Sequence, residues 1–262
     1  MFPMKNPLNI LKSDPKIAVI RLVGAIGSGR NSLTDAELAP LIEKAFARGK
    51  PKAIALQINS PGGSPAQSAL IAARIQRLAA EKELKVYAFV EDVAASGGYW
   101  LATAADEIYA DDNSILGSIG VISASFGFDK LLKDHGIDRR VHTAGEDKSM
   151  LDPFRPEREE DIVRLKDLQA RIHMNFIKQV RTRRGDRLSG EDLFTGEIWV
   201  GQQAVENGLI DGLGHLVPMM KATFGKETKF RIYGPKKGML SRFGASVLAQ
   251  IEERSLWARF GL

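Results

Sequence analysis

The chain contains no cysteine and only four histidines, His135, His142, His173 and His215. Disulfides are therefore excluded, and so are a thiolate nucleophile and a thiolate-held metal. No His-x-x-x-His pair or carboxylate cluster has ligand spacing, so no structural or catalytic zinc site is expected. The absence of cysteine fits a reducing compartment, and a cytoplasmic location is the expectation. Also missing is any run of the ~20 apolar residues needed to span a bilayer. The opening stretch Met1 to Lys12 is interrupted by Pro3 and Pro7 and lacks the basic and apolar regions of a secretory leader, so neither a signal peptide nor a transmembrane segment is read there. No internal repeat and no low-complexity linker breaks the chain.

What is present is the composition of a folded domain. With 262 residues, 44% hydrophobic and 26% charged, the chain is long enough to bury a sizeable core. The net charge of +5 comes partly from Arg181, Arg183, Arg184 and Arg187. With no recognition motif nearby, this run reads as the solvated end of a helix, and no nucleic-acid partner is expected. His135, before Gly136, and His173, within an amphipathic helix, read as structural residues.

Apolar periodicity alternates between strands and helices. Ile17 to Val23 reads as a first strand, and Thr34 with Glu37 forms a capping box opening a helix whose apolar face is Leu38, Leu41, Ile42, Ala45 and Phe46. Strands follow at Ala53 to Ile58 and Val86 to Val90, then near Glu107 to Ala110 and Ile119 to Ala124, with a strand-like Arg139 to His142. Asp161 to Arg181 is a long helix striped by Ile162, Leu165, Leu168, Ile172, Phe176 and Val180. Lys229 to Tyr233 is the last strand. The segment Gly238 to Leu262 beyond it carries an apolar stripe with mixed charges off it, which favours docking on protein over lipid, with peripheral membrane contact as the other outcome. The alternation argues for an α/β fold.

Two strand-to-helix turns carry the chemistry. In Val93-Ala94-Ala95-Ser96-Gly97-Gly98-Tyr99-Trp100 a serine sits among small residues between a strand and a short helix, Tyr99 to Ala105. A sharp turn there would leave its side chain exposed beside the following N–H, as in a nucleophile elbow, with Ala94 in place of the first glycine and Gly98 keeping the second. Ala-Ala-Ser-Gly-Gly alone is more often a motif of tight helix–strand packing than of catalysis. The second turn is Ile58-Asn59-Ser60-Pro61-Gly62-Gly63-Ser64. It lacks the Gly-Lys-Ser/Thr ending of a phosphate-binding loop, which leaves a structural turn or an oxyanion hole.

These turns, with Gly117-Ser118-Ile119-Gly120-Val121, Thr195-Gly196-Glu197 and Ala204 through Gly208-Leu209-Ile210-Asp211, resemble the ClpP/crotonase superfamily, and within it the signal peptide peptidase A family of serine proteases. The resemblance runs from about Ile17 to Gly214. It implies a spiral of stacked β-β-α units, with residues 1–15 an N-terminal extension, 16–225 the peptidase domain and 226–262 the final strand and tail. It also implies a Ser–Lys dyad. Ser96 matches the nucleophile and Lys148, in Gly145-Glu146-Asp147-Lys148-Ser149, matches the general base, with Ser118 orienting the lysine and the N–H groups of Gly63 and Gly97 forming the oxyanion hole. Glu146 and Asp147 favour an ammonium, so their side chains should point away from the site.

A lysine base must lose its proton near neutrality, a depression of roughly three units from ~10.4, or about 4 kcal/mol of differential solvation. Burial supplies shifts of that kind. A histidine triad is disfavoured, because Gly120 stands in the neighbourhood where the ClpP branch has its histidine. The expected function is hydrolysis of extended apolar peptides such as signal-peptide remnants, with no metal or organic cofactor and with a homo-oligomer as the expected assembly, whether or not a neighbouring subunit contributes to the site. Two alternatives stand: an acyl-CoA enzyme of the crotonase branch, which would want an acidic residue after the two strands, and a catalytically silent peptide-binding scaffold.

Overall fold

A computed structural model describes residues 14–27, 32–145, 148–190, 192–235 and 257–261. Glu146, Asp147, the first thirteen residues and most of the expected tail helix lie outside the described residues. An eight-stranded sheet carries the order β6-β5-β3-β2-β1-β8, with β4 pairing β3 and β7 off this path. β1 (Lys16–Val23), β2 (Ala53–Ser60) and β3 (Val86–Ala95) form its parallel centre, and β8 (Lys229–Tyr233) adds to β1. The first half of β3 pairs with β4 (Glu107–Ala110) and its last residues with β5 (Ile115–Gly117). β4 continues to β7 (Gly212–Leu213), and β6 (Ile198–Val200) joins β5 antiparallel.

The central strands read as near-continuous apolar runs because both faces of the sheet are covered. On one face, Ile20 and Leu22 of β1, Leu56 and Ile58 of β2 and Ala88 and Val90 of β3 pack with Leu38, Ile42 and Phe46 of α1 (Asp35–Ala47) and Ile71 and Ile75 of α2 (Pro65–Lys82). On the other, Val19, Ala55, Tyr87 and Phe89 meet Met220 of α7 (Leu216–Phe224). The expected capping box supplies its first half, since the Thr34 hydroxyl accepts from the Glu37 N–H at 3.3 Å. Arg74 of α2 then grips Asp35 in the first turn of α1 with two hydrogen bonds of 2.7 Å. That grip holds the Asp35 carboxyl below its usual range, against the opposing effect of burial.

Three expectations are corrected. Ile119 to Ala124 and Arg139 to His142 form no strands. After Ser118 the chain leaves the sheet, and with no partner strand the backbone groups have no ladder to join. The segment between β5 and α5 (Glu159–Arg184) has one short helix, α4 (Asp129–Asp134), and presents Phe126 at 80% exposure together with Ile122, Leu131 and Ile137. Within it Phe128 stacks on Phe154, and Arg139 lies over the Phe154 ring. In the long helix Phe176 and Val180 of the apolar stripe are buried, while Leu168, on the same stripe, is exposed.

The arginine run is the third correction, because it is structural rather than solvated. Arg184 is 2% exposed, donates to the Gly208 carbonyl at 2.9 Å and pairs with Asp211 at 2.7 Å. Arg187 reaches the same carboxylate at 3.1 Å, and the Ile108 N–H donates to it at 2.7 Å. Arg183 donates to the Thr103 and Ala105 carbonyls at 2.9 and 3.0 Å, closing the end of α3 (Gly97–Ala102). Burial pushes the Asp211 carboxyl up, but the Arg184 and Ile108 hydrogen bonds and the two guanidinium charges outweigh it, and the net shift is downward.

A carboxyl held low in the folded state stabilises fully above its unfolded value, near ~3.9, and that contribution is lost as pH falls through the folded value. Asp211→Ala should destabilise by about 3 kcal/mol near neutrality, because it leaves Arg184 buried without its counter-charge. Urea midpoints measured from pH 6 down to pH 3 should show the gap to wild type narrowing on the acid side. A gap that stays constant would contradict the ion-pair account.

Candidate active site

Ser96 stands where β3 ends and α3 begins, with φ 51° and ψ −121°. A non-glycine residue in this region is strained by about 1–3 kcal/mol and persists only where its surroundings hold it. Two backbone bonds do so: the Ser96 N–H donates to the Gly117 carbonyl at 2.8 Å, and the Ser96 carbonyl accepts from the Trp100 N–H at 3.0 Å. The side chain at this corner is partly exposed amid buried neighbours.

The Gly62-Gly63 turn lies directly against it. β2 and β3 are parallel neighbours, so their ends emerge side by side. β3 carries two extra residues relative to β2 between Val90 and Ala94, which shifts its corner. Asn59 and Gln57 of β2 hold this bulge through the Asp92 and Glu91 side chains, at 2.5 and 2.6 Å. A β-carbon at Gly62 would come within 2.9 Å of both the Gly97 nitrogen and the Ser96 β-carbon, and one at Gly97 would meet the Gly63 nitrogen at 3.3 Å. One at Gly63 would overlap the Ile26 carbonyl. The neighbouring backbone is tied down, with Ile26 N–H to Gly62 and Ser64 N–H to Ile26 at 2.8 and 2.7 Å. Among the described residues the N–H groups of Gly63 and Gly97 donate to no carbonyl, and both nitrogens lie in the turns packed around Ser96.

Ser118 follows the residue whose carbonyl holds Ser96. It is buried and has φ 51°, and its N–H donates to the Glu197 carbonyl at 2.6 Å. Gly117, before it, lies flat under the Trp199 ring, where a β-carbon would come within 2.5 Å of the indole. Gly120 faces Gly196 backbone to backbone. The expected Thr-Gly-Glu motif is therefore the wall against which the Ser118 loop is built.

Lys148 occupies an exposed turn, its N–H 3.4 Å from the Gly145 carbonyl. Among the described residues its ammonium makes no hydrogen bond to Ser96 or Ser118. The structure thus brings together Ser96, Gly97, Gly63 and the Ser118 loop, and leaves Lys148 on the projecting segment. His173, read as structural from its helical setting, donates from Nε2 to the Ile119 carbonyl at 2.9 Å, at the Ser118 loop. Nothing in its helical spacing signals that partner. The described residues contain no group of three or more His, Cys, Asp or Glu arranged to hold a metal ion.

The model of peptidase family S49 matches residues 79–223, more than half of the chain, a stretch that includes Ser96, Ser118 and Lys148. The Na(+)/H(+) antiporter NhaA of Brucella melitensis biotype 1 is 48% identical over 274 residues, covering 95% of this chain and 37% of that protein. The probable protease SohB of Buchnera aphidicola subsp. Acyrthosiphon pisum is 35% identical over 207 residues, 78% of this chain and 60% of that protein. The chloroplastic serine protease SPPA of Arabidopsis thaliana is 32% identical over 223 residues, 81% of this chain and 32% of that protein. The chain spans about a third to three-fifths of the length of these relatives. The antiporter name belongs to a protein most of which this chain does not match, and among the described residues no helix is long and apolar enough to cross a membrane. The family match covers the Ser96 corner, the Ser118 loop and the helix that packs on both, and on that ground the chain belongs to peptidase family S49.

Proposed function

We propose that the chain is a serine peptidase working through a Ser96–Lys148 dyad. The observation that carries the reading is the strained Ser96 corner with the unengaged N–H groups of Gly63 and Gly97 beside it. A scissile carbonyl attacked by Ser96 Oγ becomes tetrahedral, and its oxygen takes negative charge where those two donors converge. Lys148 accepts the hydroxyl proton and returns it to the departing amine, while Ser118 orients the lysine. Water then releases the acyl group by the same steps in reverse order. A ready acyl nucleophile favours this reading over a crotonase-type acyl-CoA enzyme, and no acidic residue follows β2 or β3 in these two turns to serve as that chemistry's acid or base. Extended apolar peptides are the proposed substrates, in keeping with the putative signal peptide peptidase SppA of Enterococcus faecium, which is 33% identical over 63% of this chain.

Lys148 needs an environment that its exposed turn does not provide within one chain. The segment that carries it also presents Phe126, Leu131 and Ile137 to solvent. A homo-oligomer would cover these side chains and seat Lys148 beside a neighbour's Ser96, which supplies both the burial and the partner that a lysine base requires.

Ser96→Ala and Lys148→Ala should each lower peptidase kcat to background with unchanged thermal unfolding, and the double variant should be no slower than either, because the two act as a unit. Wild-type kcat/KM should rise along a single alkaline limb that survives His135→Gln and His142→Gln. Near-wild-type turnover in Lys148→Ala, or a limb lost with a histidine, refutes the dyad.

Mixing separately inactive Ser96→Ala and Lys148→Ala subunits, then allowing exchange, should restore part of the activity if the lysine is supplied by a neighbour. Sizing by light scattering should show the species to be oligomeric. A mixture as inactive as its components, in subunits shown to exchange, would place the dyad within one chain.

A further inference from the structure

The backbone of the Ser118 loop is accounted for group by group. The Gly117 carbonyl accepts from Ser96, the Ser118 N–H donates to Glu197 and the Ser118 carbonyl accepts from Gly120, all backbone to backbone. The remaining tie comes from a side chain: His173 donates from Nε2 to the Ile119 carbonyl at 2.9 Å. A carbonyl has no proton to give, so Nε2 carries the hydrogen whether the ring is neutral or charged. The Ile119 side chain is itself fully buried, so the loop is anchored in the core on one side and held by α5 on the other.

The same face of α5 holds the nucleophile turn. Three residues after His173, Phe176 stacks on Trp100 of α3 with ring centroids 5.0 Å apart. Gln179 donates to the Thr103 hydroxyl at 3.1 Å, and Arg183 donates to the Thr103 and Ala105 carbonyls. Positions 173, 176, 179 or 180 and 183 follow the spacing that lines up one face of a helix. One rigid rod therefore touches both the element that starts at Ser96 and the loop that carries Ser118.

We propose that α5 is the brace that sets the spacing between Ser96 and Ser118, and that His173 is a positioning residue acting through the Ile119 carbonyl on the Ser118 hydroxyl. The inference rests on the Ser96–Lys148 reading, since Ser118 matters only if it aims a lysine. Releasing the carbonyl lets the loop shift. A shift of about 1 Å in a positioning group costs up to ~100-fold in rate, while the substrate-binding surface is left in place.

His173→Gln keeps an N–H donor at nearly the reach of Nε2, whereas His173→Asn keeps the amide but falls short. Steady-state kinetics should show His173→Asn with kcat lowered roughly 10- to 100-fold at unchanged KM, and His173→Gln within about 3-fold of wild type. Should His173→Asn fail to fold, His173→Leu gives the same comparison by filling the space without a donor. Equal kcat in the donor-keeping and donor-lacking variants, or a change confined to KM, overturns the brace. Ser96→Ala, run alongside, separates the two readings. If it retains turnover the dyad itself is wrong, and if it is inactive while His173→Asn keeps the wild-type rate, only the inference about α5 falls.

Discussion

The site depends on two backbone turns approaching so closely that nothing larger than hydrogen fits between them. Gly62 and Gly63 at the end of β2 lie against Ser96, Gly97 and Gly98 at the end of β3, and a β-carbon at Gly98 would overlap the Ser60 carbonyl. Parallel pairing makes this approach available, because adjacent parallel strands deliver both of their C-terminal ends to the same edge, and the α2 crossover returns the chain to begin the second strand. The two-residue bulge in β3 then decides where along that edge the corner falls. Ser96, with its positive φ, is held at this junction, and it is partly exposed among buried neighbours.

The other short motifs are lids and struts for this junction. Tyr99, fully buried, donates its hydroxyl to the Leu209 carbonyl at 2.7 Å, tying α3 to the chain 110 positions further on. Burial pushes its phenol well above the usual range, against the opposing charge of Arg184, so it remains a donor at neutral pH. Two residues beyond Leu209, Asp211 collects Arg184, Arg187 and the start of β4. Gly120 and Gly196 mark the place where the Ser118 loop and the 195–197 turn touch without side chains between them, and Gly117 leaves room for the Trp199 ring. The motifs are widely spaced in sequence because each is the point at which a separate stretch of chain reaches the same corner.

This explains which parts were legible beforehand. Strands buried on both faces announce themselves as apolar runs, and β1, β2 and β3 lie where those runs put them, while β4 and the mostly exposed β8 show alternation instead. Thr34 announces the start of α1 because capping is a local interaction, settled within one turn. The glycines of both turns were visible as glycines, although the bulge that aligns them was not. Ile119 to Ala124 and Arg139 to His142 form no strands because an apolar residue signals burial without saying what buries it, and the described residues offer these two segments no partner strand. The arginines failed for the converse reason. A charge run resembles a solvated helix end unless its carbonyl and carboxylate partners are known, and for Arg183 and Arg184 those partners come from the Thr103 to Ala105 and Gly208 to Asp211 segments. His173 was unreadable for the same reason, since its acceptor is a main-chain carbonyl that leaves no trace in residue identity.

Helix α5 connects these observations. Its C-terminal half is fixed by Phe176, Val180 and Arg184 in the core, while its N-terminal half carries Val163 and Leu168 in the open, with Met174 at 68% exposure near the middle. A helix is stiff over this length, so a contact on the outer half acts on the inner half through little bending. The projecting segment that bears Lys148 runs directly into this outer half, and its Leu151 N–H donates to Asp161 in the helix's first turn at 3.3 Å. Arg158, just before the helix, grips the same carboxylate at 2.6 Å and, with the Leu151 bond, holds that carboxyl below its ordinary range despite the opposing effect of desolvation. In the proposed assembly, subunit contacts that cover the projecting segment would therefore order Lys148 and load α5 together. On the proposed reading the base would be delivered and the spacing between Ser96 and Ser118 set by one event, and an unassembled chain would hold the Ser96 corner without the proposed base in reach.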